Sequence, residues 1–120
     1  MRVPLLSLLL ILSGQALADA CTVHSQGGQV KVQVCQENRS IPAGLFRDGF
    51  CRPQLQGQKV EVEFAERCPG DSFGICREAR VAGTPYHQDI HYYGVAADAR
   101  YLKPFCEGQS GGHWEAPPGK

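Results

Sequence analysis

The densest group of metal-ligating side chains lies in the run His87-Gln88-Asp89-Ile90-His91. If this run is a β-strand, alternate side chains lie on one face, and His87, Asp89 and His91 share that face. Two imidazoles and a carboxylate at this spacing could bind zinc, copper or another divalent ion. The polar face of an edge strand gives the same pattern, with Ile90 turned to the core. The run is therefore interpreted first as a structural polar face, with a divalent-metal site at His87, Asp89 and His91 as the alternative.

Four tyrosines are concentrated around the same run, namely Tyr86, Tyr92, Tyr93 and Tyr101. A rigid ring with a polar tip is common at binding surfaces. Tyrosines are also ordinary core residues of small β-rich domains. A role in the core is favoured for most of the four, and Tyr86, Tyr92 and Tyr93 are kept as candidate binding residues.

Catalytic patterns are weak in this sequence. Nucleophilic hydrolysis needs a nucleophile beside an oriented base, and the Gly-x-Ser-x-Gly turn does not occur. Glu61 and Glu63 share one face of a predicted strand, but such a pair is usually a solvated face rather than an acid–base pair. No catalytic residue and no cofactor are predicted, apart from the possible divalent metal. A non-enzymatic role is favoured and an enzymatic role stays open.

The first 18 residues have the order of a secretory signal peptide. Arg2 precedes an apolar run of about ten residues, and Ala16-Leu17-Ala18 is a small-x-small cleavage site. A membrane span needs about twenty apolar residues, and no later stretch supplies them. The sequence predicts a cleaved signal peptide at 1–18, a single domain at 19–115 and a flexible tail at 116–120.

Lipoprotein processing at Cys21 is the rival interpretation of this leader. The charged Asp19 fits such a site poorly, and lipidation would leave an odd number of cysteines. Cleavage after Ala18 is therefore preferred, and the mature chain is expected in the periplasm or outside the cell.

Six cysteines follow the leader, an even number that indicates a disulfide framework in a short exported chain. They are Cys21, Cys35, Cys51, Cys68, Cys76 and Cys106. The sequence contains no Cys-x-x-Cys pair, which zinc sites, iron–sulfur clusters and thioredoxin-like motifs usually show. Six cysteines allow fifteen pairings, and the sequence does not choose among them. Turns centred on Gly28 and Ser72 would pair Cys21 with Cys35 and Cys68 with Cys76, and elimination would pair Cys51 with Cys106.

Hydrophobic alternation predicts mainly strands. Strand patterns occupy 30–34, 59–65 and 91–93, and 75–81 is a possible partner of 59–65. Helical turns are predicted over 40–49 and after Asp98. The expected fold is a small α+β domain, rich in strand, with one or two short helices and disulfide crosslinks.

The charge pattern argues against nucleic acid or an anionic membrane as a partner. Twelve Lys and Arg balance twelve Asp and Glu, and the two signs are interspersed. A nucleic-acid or anionic-membrane surface needs a basic face, which this pattern does not form.

Several runs resemble a group of short exported bacterial proteins with six cysteines. They are CQENR at 35–39, FCRP at 50–53, GTPYHQDIHYYG at 83–94 and LKPFCE at 102–107. Some members of that group carry the name NADH:ubiquinone oxidoreductase, so the resemblance implies that activity as one alternative. The residues themselves show neither a glycine-rich dinucleotide turn nor iron–sulfur spacing.

The leading expectation is an exported, disulfide-stabilised module that binds a protein or an envelope component without catalysis. The first alternative is a divalent-metal-binding periplasmic protein that uses His87, Asp89 and His91. The second is the oxidoreductase that the resemblance implies.

Overall fold

The computed structural model describes residues 19–28 and 30–117. Six strands and two short helical segments follow one another along the chain. The strands are β1 Ala20–Gly27, β2 Val30–Asn38, β3 Lys59–Ala65, β4 Gly74–Arg80, β5 His87–Tyr93 and β6 His113–Glu115. The helical segments are α1 Ala43–Leu45, which continues as a π-helical turn Phe46–Phe50, and α2 Ala99–Gly108, which follows a 3₁₀ turn Ala96–Asp98. The prediction of a small, strand-rich α+β domain is confirmed.

All six strands form one antiparallel sheet in the order β3-β1-β2-β5-β4-β6. β1 and β2 form the expected hairpin, and its turn contains Gly28 with a φ of +57°. That left-handed conformation costs glycine little, because glycine has no Cβ. β5 lies in the middle of the sheet between β2 and β4, so its alternate residues face opposite sides of a central strand.

Both helical segments pack on one face of the sheet, which we call the helix-covered face. The Cys21–Cys51 disulfide ties the π-helical turn to β1, and the Cys76–Cys106 disulfide ties α2 to β4. Each disulfide lies in its own apolar cluster, and each cluster contains one buried cysteine pair. The core is therefore divided into two small clusters, each crosslinked by a disulfide.

The opposite face is crossed by the chain that joins β3 to β4, and we call it the loop-crossed face. This connection, residues 66–73, leads from one edge of the sheet past β1, β2 and β5. The Cys35–Cys68 disulfide fastens it to β2, and the Tyr93 hydroxyl donates a hydrogen bond of 2.7 Å to the Pro69 carbonyl. One disulfide therefore holds the long crossing loop on the sheet.

The disulfide pairing predicted from the sequence is wrong in all three pairs. The hairpin was expected to place Cys21 opposite Cys35, but Cys21 lies opposite Gln36 and Cys35 lies opposite Thr22. A register difference of one residue turns a side chain to the other face of the sheet. Cys21 therefore points to the helix-covered face and Cys35 to the loop-crossed face, and the two cannot join.

The other two predicted pairs fail because β3 and β4 are not neighbours. Residues 66–73 form a crossover rather than a hairpin turn, so Cys68 reaches Cys35 and not Cys76. Once Cys76 bonds to Cys106, the pairing of Cys51 with Cys106 by elimination is also wrong. That all six cysteines form disulfides is confirmed.

The predicted signal peptide at 1–18 and the last three residues of the predicted tail lie outside the described residues. In the part that the structure describes, no helix is long and apolar enough to cross a membrane. Three disulfides indicate that this domain folds in an oxidising compartment.

The outer edge of β3 pairs with no other strand among the described residues. Two whole β3 strands that paired antiparallel about Val62 would place Glu61 opposite Glu63 of the second copy. A pair centred on Glu63 would place that glutamate opposite itself. Like charges directly opposite each other destabilise strand pairing, so the two glutamates disfavour both of these registers.

We expect the double variant Glu61→Thr with Glu63→Thr to self-associate more strongly than the parent chain, because the repulsion at the edge is lost. Sedimentation velocity over a range of concentrations measures this. The control, Asp71→Thr with Glu107→Thr, removes the same charge from exposed positions outside β3. Equal sedimentation of both variants would contradict the edge-protection argument.

Candidate functional site

Asp89 is the buried polar centre of the loop-crossed face. Its side chain has no exposed surface. Arg39 donates to Oδ2 from Nε at 2.8 Å and from Nη2 at 2.5 Å, and Arg77 donates to the same oxygen from Nη1 at 2.8 Å. The backbone amide of Glu78 donates to Oδ1 at 2.9 Å. Both carboxylate oxygens of Asp89 are therefore hydrogen-bonded.

A β-bulge supplies the amide that reaches Asp89. The pairing of β4 with β5 is irregular between Cys76 and Ala79, and Glu78 has a φ of +56°. A non-glycine residue in this left-handed region is uncommon and costs free energy. The bulge turns the backbone amide of Glu78 toward the buried carboxylate of Asp89, and the hydrogen bond between them offsets the cost of the positive φ.

The pKa of Asp89 reflects two opposing effects. Burial raises the pKa of this carboxyl, but the hydrogen bonds from the two guanidinium groups and the Glu78 amide lower it more. The pKa of Asp89 therefore lies below the ordinary value of 3.8, and the group is ionised at neutral pH.

The three residues of the predicted metal site share one face of β5, as the alternation required, but they have different partners. His91 Nε2 lies 3.1 Å from Glu37 Oε2, while the Asp89 carboxylate is bound by two arginines. The backbone amide of His87 donates to the Ser40 hydroxyl. A metal at these three residues would have to displace two guanidinium groups. The site stays a prediction, and the ion pairs of Asp89 argue against it.

The three candidate binding tyrosines do not form one surface. Tyr86 packs against the apolar cluster beside the Cys21–Cys51 disulfide. Tyr93 holds the crossing loop on the other face, and burial, followed by the nearby acidic groups, raises its pKa to about 12. Tyr92 stacks on Trp114 with the ring centroids 5.7 Å apart. Of these three, only Tyr92 and Tyr93 line an apolar concavity beside α2.

This concavity, which we call the aromatic groove, lies between α2 and the adjoining ends of β2 and β5. Its volume is about 330 Å³, and one lysine and one aspartate stand among its lining residues, Lys31 and Asp98. Its apolar and aromatic lining consists of Val32, Val34, Phe73, Tyr92, Tyr93, Val95, Tyr101 and Leu102.

The groove exposes large apolar side chains to solvent. Val95 is 65% exposed, Tyr101 63% and Val32 45%. The two helical segments lie beside different strands, α1 beside β1 and α2 beside β4, and the groove lies next to α2. A cluster of exposed apolar residues around a concavity is typical of a site that binds another molecule.

Sequence reasoning missed the arginine partners of Asp89 and the helical wall of the groove. Arg39 lies fifty residues from Asp89, and only the register of β2 against β5 brings the two strands together. The helical spacing of Tyr101 with Leu102 suggested burial, and Val95, which precedes the 3₁₀ turn, carries no local sign of its exposure. No protein-family model, curated protein or solved structure matches this chain.

We expect Asp89→Asn to lower the free energy of unfolding by about 2–3 kcal/mol, because two guanidinium groups lose their shared charged partner. Both guanidinium groups are partly exposed, so water limits the loss. Guanidinium titration without reductant measures the change. Asp48→Asn is the control, since Asp48 pairs with exposed arginines only, and its effect should stay below about 0.5 kcal/mol.

The stability that Asp89 contributes should disappear in acid. Its pKa is lower in the folded chain than in the unfolded chain, so the contribution is complete well above pH 3.8 and falls as the pH drops through the folded pKa. The stability difference between the parent and Asp89→Asn should shrink between about pH 5 and about pH 2. A constant difference across that range, measured by denaturant titration, would contradict the assignment.

Proposed function

We propose that this chain is an exported, non-enzymatic binding module that holds an apolar side chain of a partner protein in the aromatic groove. The observation that carries the proposal is the exposed apolar lining of the groove beside a disulfide-fixed helix. Export rests on the signal-peptide pattern of the first 18 residues and agrees with three disulfides.

The size of the groove favours a side chain as its occupant. Its volume of about 330 Å³ is near the lower end of the range for small-molecule sites. One or two apolar side chains fit in such a space. A dinucleotide or another large cofactor would extend well beyond it.

The charges around the groove favour a protein over a membrane surface. Lys31 and Asp98 are opposite in sign, so the rim has no net charge of its own. Attraction to anionic lipid needs a cluster of basic residues. A polar rim with both signs around an apolar centre is the usual composition of a protein interface.

The disulfides lower the cost of binding. Cys76–Cys106 fixes α2, and Cys35–Cys68 fixes the loop that carries Phe73. A wall that is already ordered loses little conformational entropy when a ligand binds. The lining also lacks a nucleophile beside a base, which supports binding without catalysis. The oxidoreductase activity implied by the resemblance stays a prediction.

A capped pentapeptide with one tryptophan between two pairs of glycines tests the groove. We expect it to shift the amide resonances of Tyr92, Val95 and Leu102 in a ¹⁵N-labelled sample, because the indole fills the apolar space. The same peptide with alanine in place of tryptophan should shift them much less. Tyr101→Ser should weaken binding of the tryptophan peptide about fivefold through lost apolar contact area.

Leu55→Ser is the matched control, because Leu55 is 42% exposed and does not line the groove. Its affinity for the peptide should equal that of the parent. Resonance shifts scattered over the surface, or equal affinities for Tyr101→Ser and the parent, would refute the groove. A different result would point to a lipid instead of a protein partner. In that case the peptide does not bind, the parent chain binds phosphatidylglycerol vesicles, and Tyr101→Ser abolishes the vesicle binding.

A further inference from the structure

Four side chains with metal-ligating atoms meet on the loop-crossed face, beside the arginine pairs of Asp89. Cys35 and Glu37 lie two residues apart on β2, so both point to this face. His91 lies directly opposite Cys35 on β5. Cys68 comes from the crossing loop and is bonded to Cys35.

The distances among Glu37, Cys68 and His91 suit a single small cation. His91 Nε2 and Glu37 Oε2 are 3.1 Å apart, and the ligand atoms of Glu37, Cys68 and His91 all lie within 4.8 Å of one another. Zinc in a tetrahedral site has ligands about 2.0–2.3 Å from the metal. Ligand atoms around one zinc ion are therefore separated by distances of this order.

The disulfide blocks the site in the oxidised chain, because zinc binds thiolate sulfur and a disulfide sulfur carries no such charge. We propose that reduction of the Cys35–Cys68 disulfide opens a zinc site formed by Cys35, Cys68, His91 and Glu37. The set comprises two thiolates, one imidazole and one carboxylate, which are all ordinary zinc ligands. Of the three metal residues predicted from the sequence, only His91 belongs to it.

The chemical step can be carried out by a dithiol reductant. One of its thiolates attacks Cys68 Sγ, the S–S bond breaks, and the dithiol becomes a disulfide as Cys35 and Cys68 gain two electrons and two protons. Zinc binding then releases those two thiol protons to solvent. His91 binds as the neutral imidazole through Nε2, the nitrogen that faces Glu37.

Exposure makes this disulfide the most accessible of the three. Cys68 is partly exposed, whereas each of the other five cysteines is at most 1% exposed. Cys68 and His91 also line two open concavities of about 470 and 310 Å³, through which a reductant and a metal ion can approach. Attack at a sulfur needs access, so Cys35–Cys68 should be reduced first.

The loaded site would carry one negative charge, from one zinc ion, two thiolates and the Glu37 carboxylate. The concavity around it is lined by both signs, with Arg39, Arg67 and Arg77 beside Asp19 and Glu66. Arg39 and Arg77 are already paired with Asp89, so Arg67 is the cation left to oppose that charge. The Cys21–Cys51 and Cys76–Cys106 disulfides continue to hold the helical segments on the other face, so the sheet keeps its ligands in place.

Limited treatment of the purified mature protein with a phosphine reductant tests the proposal. Mass spectrometry after alkylation should show that Cys35 and Cys68 are modified first. The singly reduced protein should then bind one zinc ion at least a hundredfold more tightly than the oxidised protein in a calorimetric titration. Cobalt should give the thiolate charge-transfer absorption and the visible bands of a tetrahedral site.

Three variants separate this site from its alternatives. His91→Gln and Glu37→Gln should each weaken zinc binding at least tenfold in the singly reduced protein and alter the cobalt spectrum. His87→Gln is the matched control and should leave both unchanged. Equal zinc affinity in the oxidised and reduced forms, unchanged binding by His91→Gln, or first reduction at another disulfide would overturn the proposal. Loss of the folded amide spectrum on reduction of Cys35–Cys68 would overturn it as well, because the ligands are held by the sheet.

Discussion

The buried carboxylate of Asp89 is the constraint on which the centre of the fold depends. An ionised group with no exposed surface must be paired, because an unpaired buried charge costs several kcal/mol. Its partners come from the end of β2, from β4 and from the bulge within β4. Satisfying one carboxylate therefore fixes how three adjacent parts of the sheet meet. The positive φ of Glu78 is the local cost of that arrangement.

The three disulfides crosslink both faces of the sheet. Two of them crosslink the small apolar clusters under the helical segments, and the third holds the crossing loop. A domain of about one hundred residues buries a limited core, and disulfides commonly compensate for that. The same arrangement leaves the aromatic groove open on one face and places the least buried disulfide beside His91 on the other. Binding and redox-dependent metal chemistry would thus occupy different parts of the sheet.

The local sequence pattern predicted most strands and helices well, but it predicted poorly which strands lie next to each other in the sheet. Alternation of valines in 30–34 and of apolar residues in 59–65 identified β2 and β3, because a half-buried strand needs a period of two. The cysteine pairing failed because it required the hairpin register and the position of β3 in the sheet. A turn displaced by one residue reverses the face of every side chain, and the sequence does not show such a displacement. Placing β4 beside β3 was the natural choice for consecutive strands, yet the chain crosses to the far side of β5.

The sequence by itself determined the disulfide-rich class of the domain, its strand content and the shared face of His87, Asp89 and His91. These depend on composition and on neighbouring residues, which act over a few positions along the chain. Only the tertiary structure decided that Asp89 is bound by Arg39 and Arg77, that His91 meets Glu37 and the Cys35–Cys68 disulfide, and that Tyr92 lines a groove. Those contacts join residues from separate strands and loops, and the order and register of the strands bring them together.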